Sequence, residues 1–266
     1  MIISKPRTIR WNPKLYNTLD ITSMMVKSTD VKQTTNIPIY QPNPQQKNPI
    51  NKKIKQESII VCSAHNDDFV IGVGGTIAKY IQEKKKVTAI VFSYGENSHP
   101  WLKKQVVQKM RSKEAEVAAK ILGCKVIIFD LKENHFLEDI KTNHRDEKLQ
   151  KIFTSLKPNK VFTHSSEDPH PDHRAVHEIT LALCASLPVH PELYVYPVWN
   201  ALTFKTSNPS LYIDIKETFW FKLRALRAFS SQQIHIIYPV FLLLFRAFRE
   251  GLRIHSRFAE KFFRLK

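Results

Sequence analysis

The sequence predicts an α/β fold: a Rossmann-like, mainly parallel sheet sandwiched by helices. Short apolar, β-branched runs recur at 58–63, 86–94, 125–131, 160–164 and 193–199. Stretches with helical spacing fill the gaps between them, and strands alternating with helices imply parallel strands joined by right-handed crossovers. The 266 residues are 42% hydrophobic, enough for one sizeable core.

The first strand, SIIVCS, is a continuous apolar run, as expected for a strand covered on both faces. The clearest helix spans 103–123, where Val107, Met110, Ala115, Ala118, Ala119 and Leu122 share a face and Gly123 supplies the stop. Ahead of the first strand, Met1 to Lys55 holds ten Lys/Arg against Asp20 and Asp30, with the polar stretch QPNPQQKNPINKK at 41–53. Such a composition buries little, so residues 1–56 are expected to form a basic, extended arm and 57–266 the folded domain. No apolar run suited to a secretory signal follows the first basic residues.

Composition removes several classes. Six glycines exclude collagen-like repeats. Cys62, Cys124 and Cys184 lie far apart without CxxC spacing, so neither a disulfide framework nor a Cys-rich zinc site is expected, and a cytoplasmic, reducing compartment fits. The apolar run IHIIYPVFLLLF at 234–245 is about half the roughly 20 residues that span a bilayer. It suits either a buried helix or a surface-seeking one. Arg246, Arg249, Arg253 and Arg257 then repeat every three or four residues, interleaved with Phe245, Phe248, Leu252 and Phe258. That pattern fits a core-docked helix with a solvated face, or a helix docked on anionic lipid. The net charge of +17 alone is thin evidence for nucleic-acid binding, and no recognition motif accompanies it.

Ligands of such folds sit at the carboxyl ends of the strands. The first strand runs straight into Ala64-His65-Asn66-Asp67-Asp68-Phe69. His65 and Asp68, three apart, can aim at one point from a turn while Asp67 points elsewhere, as a metal ion beside a general base requires. A capping segment for a helix starting near Ile71 is the plainer alternative. The strand at 160–164 ends in His164 and leads into His170, Asp172, His173 and His177, so four of eleven histidines fall within fourteen residues. Two such clusters on parallel strands can face each other across one crevice, with two ligands from the first and one from the second. Gly72-Val73-Gly74-Gly75 lacks the third glycine of a dinucleotide fingerprint and suggests close backbone packing.

These segments resemble the LmbE/PIG-L family of zinc-dependent de-N-acetylases. AHNDDFVIGVGGT resembles the family's AHPDDE…G.GG motif and PHPDHRAV its HPDHRA motif. SYGE at 93–96, MRSKEAEVAAKILG at 110–123 and GLRIHSRFAEKF at 251–262 follow in the family's order. The resemblance implies an LmbE-like fold with Zn2+ held by His65, Asp68 and His173. It implies Asp67 as general base and His170 as stabiliser of the oxyanion or proton donor to the leaving amine. Asp172 would orient His170, and Arg111 would reach the sugar. The implied reaction removes the N-acetyl group from an N-acetylglucosamine-containing small molecule, releasing acetate. An amidase acting on another acyl group, and a silent member binding glycans or anionic membrane, are the alternatives. The sequence departs from the motif at Asn66, usually Pro, and at Phe69, usually Glu, where the phenyl ring is expected to alter the wall of the site. His164 and His177 are expected to support the shell rather than bind metal.

Overall fold

The computed structural model describes residues 56–99, 101–199, 208–232 and 240–265. The basic arm expected over 1–56 lies outside them apart from Gln56, as does the 234–239 part of the apolar run.

In chain order the elements are β1 (Ser58–Ser63), α1 (Asp68–Gln82), β2 (Lys86–Val91), α2 (Lys104–Leu122), β3 (Lys125–Ile128), α3 (Phe136–Asp139), α4 (Arg145–Leu156), β4 (Lys160–His164), α5 (Pro171–Ala185), β5 (Glu192–Tyr196), β6 (Ser210–Asp214), α6 (Phe219–Leu226), α7 (Val240–Leu252) and β7 (Ala259–Arg264). They build a seven-stranded sheet in the order β3-β2-β1-β4-β5-β7-β6. The first five strands are parallel, as expected, while β7 runs antiparallel to both β5 and β6. The sheet is therefore mixed at one edge, where the sequence pattern had not marked β6 or β7.

Both faces are covered. Ile59 and Val61 of β1 join the core beneath α1, α2, α6 and α7, while Ile60 and Cys62 join the core beneath α3, α4 and α5. That alternation is the period-two geometry of a strand, and burial on both sides explains the unbroken apolar run. α2 begins at Lys104 and ends where Gly123 takes φ 82°, the left-handed cap that glycine adopts without cost. Met110, expected on its buried face, is half-buried; Arg111 and Glu114 are buried there instead.

The glycines of α1 are there for contact. A Cβ on Gly72 would collide with the ring of Tyr196, and one on Gly75 would lie 2.6 Å from Cδ1 of Ile215. A buried ion pair adds to this seam. Lys222 Nζ lies 2.6 Å from Glu260 Oε1, and the Glu260 carboxylate accepts the N–H groups of Gly75 and Thr76. Burial holds the Lys222 ammonium below its ordinary pKa, and Glu260 opposes that shift.

β1 connects outward to β2 and β4 outward to β5, so adjacent β1 and β4 define the point where strand order reverses. Crevices in open α/β sheets form there, outside the carboxyl ends.

Candidate metal centre and active-site cleft

At that reversal point a cleft of about 240 Å3 is lined by residues from seven segments, among them His65, Asp67, Asp68, Arg111, His170 and Asp172. Both sequence clusters converge on it. His173 is packed beneath, fully buried.

The turn after β1 is built around Asp68, whose Oδ2 accepts the backbone N–H of His65 at 2.8 Å. Ser63 Oγ donates to the His65 carbonyl and accepts the N–H of Phe69. α1 starts at Asp68 rather than near Ile71, and Asp67 stands at the cap without a side-chain capping bond. The capping alternative therefore does not account for Asp67. Asn66, in place of the motif's Pro, is buried and donates to the Tyr94 carbonyl. Phe69 does not wall the cleft: it is fully buried in the core, because one helical step turns it away from Asp68.

Asp68 Oδ2 is the focus, 3.5 Å from His65 Nδ1 and 3.4 Å from His173 Nε2. Donor atoms of His65, Asp68 and His173 lie within 4.8 Å of one another. His173 Nε2 is buried without a hydrogen-bond partner, an orphaned polar atom that a metal ion would engage once the ring is neutral. Two imidazoles and one carboxylate form the mixed N/O set of a catalytic zinc site with an open position. The residues present fit a divalent metal ion.

Two further histidines stand beside this set, and His164 Nε2 lies 3.4 Å from Asp68 Oδ2. His164 Nε2 accepts the Ala64 N–H at 3.0 Å, and His177 Nδ1 is hydrogen-bonded to the His164 carbonyl at 2.8 Å.

Charge is distributed unevenly. Burial disfavours the Asp68 carboxylate, but His173 and His164 outweigh it and hold its pKa well below the ordinary value. Burial and the Asp68 charge push Asp67 the other way, with Arg111 and His65 opposing. Adjacent carboxylates are thus separated into a more acidic one, Asp68, and a more basic one, Asp67. Burial opposes a charged His65, yet Asp172 and Asp68 raise its pKa to about 10. Burial likewise opposes a charged His173, which Asp68 and Asp168 raise to about 9. His170 is lowered by burial and by His65 and His173.

Asp172 departs from its expected geometry. Its carboxylate lies 3.3 Å from His65 Nε2 and accepts the Asn134 N–H at 2.7 Å. Only its backbone N–H reaches His170, donating to Nδ1 at 3.2 Å. That bond makes Nδ1 an acceptor and leaves the ring proton on Nε2. Arg111 is buried, with Nη1 donating to the Gly95 carbonyl and Ser98 Oγ, so it anchors the 95–98 turn at the cleft wall.

Sequence reasoning missed several residues. Asp168 Oδ1 lies 3.1 Å from His173 Nδ1 and accepts the His170 N–H, placing a carboxylate behind the buried imidazole. Glu133 approaches His65 Nε2 at 3.9 Å and accepts the Asn97 N–H. Asn134, Trp199 and Gln232 also line the cleft. Asp168 and Glu133 lie within five residues of the carboxyl ends of β4 and β3 and carried a positional signal; Gln232 carried none. Cys62 and Cys184 are buried and Cys124 is half-buried, and burial pushes the Cys184 thiol up to about 12.

Residues 60–184 match the family model "PIG-L: GlcNAc-PI de-N-acetylase". An uncharacterised deacetylase of Escherichia coli K12, YaiS, is 26% identical over 182 residues, spanning 66% of this chain and 92% of that protein. The 4-oxalmesaconate hydratase of Pseudomonas putida is 31% identical over 127 residues, 45% of this chain and 48% of the hydratase. Among solved structures, the N,N'-diacetylchitobiose deacetylase of Pyrococcus horikoshii shares the fold, with a TM-score of 0.66 at 24% identity over 79% of this chain and 84% of that one. The matched segment runs from within β1 into α5 and holds both clusters of the cleft, so it is this part of the chain that is similar to the PIG-L (LmbE-like) deacetylase family.

Proposed function

We propose that the chain is a zinc-dependent de-N-acetylase that removes the acetyl group from an N-acetylglucosamine-containing small molecule and releases acetate. The observation that carries this reading is the convergence of His65, Asp68 and His173 in one cleft with Asp67 beside them.

His65, Asp68 and His173 would hold the ion, which when bound would supply Lewis-acid polarisation of the amide carbonyl and a lowered pKa for water. Asp67, more basic than its neighbour, accepts the proton of the attacking water and passes it to the departing nitrogen. His170, with Nδ1 engaged by the Asp172 N–H, keeps its proton on Nε2 and donates it as a hydrogen bond to the developing oxyanion. A neutral hydrogen-bond donor fits this geometry better than an imidazolium acid. Asp172 and Glu133 orient His65, and Asp168 orients His173. Arg111 holds the 95–98 turn and keeps one buried N–H, on Nε, for a bound sugar.

The hydratase relative supports a second reading, in which the same cleft adds water to an unsaturated acid. Acetate release from a panel of N-acetylglucosamine derivatives, by zinc-loaded and by chelated protein, decides between them. Chelator-sensitive release from any member supports the proposal. No release, together with zinc-dependent hydration of an unsaturated dicarboxylic acid, overturns it.

A further inference from the structure

α7 is apolar on its outer side as well as towards the core. Its inner edge, Leu243, Ala247, Glu250 and Gly251, faces the protein. Its outer face consists of Val240, Phe241, Leu244, Phe245, Phe248 and Leu252, each between 37% and 67% exposed. At about 100° per residue these six cover roughly 140° of the helix circumference with no polar side chain among them. Arg249, Arg253 and Arg246 follow along one flank. Glu250 pairs with Arg249 and Arg253 from the buried side, so the flank keeps a positive balance. A face of this kind leaves large aromatics in water unless something covers it.

We infer that α7 seats the protein on an anionic lipid surface. Two features of the molecule favour a bilayer over other occupants. The chain carries a net charge of +17, and an arginine-flanked face complements phosphate headgroups. A second copy would bring like charges together, and thirteen residues of helix offer a strip of about 20 Å by 10 Å, roughly a quarter of the ~800 Å2 each partner gives to a stable dimer. The chain's own first 55 residues, with ten Lys/Arg and two acids, do not complement the arginines either. The seat borders the cleft: Arg246 Nη1 donates to the Pro197 carbonyl, and Trp199, two residues on, lines the cleft while 45% exposed. Among the described residues no helix is long and apolar enough to cross a membrane, so the contact is peripheral. The docking does not depend on which reaction the cleft performs.

Co-sedimentation of the full chain with vesicles tests this, using phosphatidylcholine alone or mixed with phosphatidylglycerol, at low and high salt. The parent is expected to pellet with the anionic vesicles at low salt and to be released by high salt. The Phe245→Ser/Phe248→Ser variant replaces two exposed rings, keeps the parent's melting temperature, and partitions about tenfold less or weaker. Absence of pelleting overturns the inference, as does equal pelleting of the variant. A parent that elutes as a dimer which the variant dissolves would assign the face to a second copy instead.

Discussion

Replacing Asp168 probes the metal centre without touching a ligand. Its carboxylate is 1% exposed, lies 3.1 Å from His173 Nδ1 and accepts the His170 N–H at 3.0 Å. The charge makes His173 a stronger donor and fixes its ring so that Nε2 faces Asp68 Oδ2. Burial disfavours the carboxylate, but the imidazole behind it holds its pKa below the ordinary value, so it stays ionised at neutral pH. Asp168→Asn keeps an oxygen for the His173 and His170 contacts, removes the charge and exchanges the second oxygen, which accepts the Trp199 N–H, for an amide nitrogen. Asp168→Ala removes the acceptor from the His170 N–H as well. Outer-shell partners of this type are worth about 10–100-fold in metal affinity, which converts to roughly 1.4–2.8 kcal/mol. Zinc competition against a chromogenic chelator is expected to show Asn weakened towards the lower end of that range and Ala towards the upper end or beyond. Parental affinity in both variants would refute the assignment of Asp168 as the group that orients His173.

Further outcomes follow from the same geometry. Lys222→Met strands the Glu260 carboxylate in the seam between α1 and β7 and is expected to cost about 3–5 kcal/mol, read by chemical denaturation. Lys222→Met/Glu260→Gln should recover a substantial part of that loss, and equal stability of parent and single variant would contradict the buried-pair reading. Metal affinity should rise with pH: His65 and His173, with pKa values of about 10 and about 9, carry protons in the metal-free protein that an incoming ion must displace. Zinc titrations between neutral and alkaline pH are expected to tighten by about one to two decades per unit, flattening once both rings are neutral. Arg111→Met removes a cation that lowers the Asp67 pKa, so the acid limb of kcat/KM should move to higher pH.

The parts of the site legible in the sequence are those whose chemistry is coded by residue type at a strand's end. His65, Asp67 and Asp68 follow β1, and His170, Asp172 and His173 follow β4, so the position of both clusters needed only the rule that parallel strands present their carboxyl ends together. Side-chain direction was not legible. Asp172 lies one residue from His173 and two from His170, yet its carboxylate turns towards His65 and the Asn134 N–H on a loop after β3. Phe69 follows two site residues, but the helix begins at Asp68 and its first step swings the ring into the core. β6 and β7 escaped notice because β7 carries Glu260 and Lys261 within six residues. Glu260 is buried for a reason that only tertiary structure supplies, the N–H groups of α1 and the ammonium of Lys222. Likewise α7 shows helical spacing in the sequence, while which of its faces meets solvent depends on β7 beneath it.

The central claim is that Asp67 performs the proton transfer at a metal held by its neighbours, and turnover per bound zinc in Asp67→Asn against the parent measures it directly. Both proteins would be zinc-loaded, their metal content determined in the sample used for acetate release. The account predicts equal zinc and a turnover lower by about 10²–10⁴-fold, because the base is lost while His65, Asp68 and His173 remain. Equal turnover per zinc, or loss of zinc in proportion to activity, would contradict it.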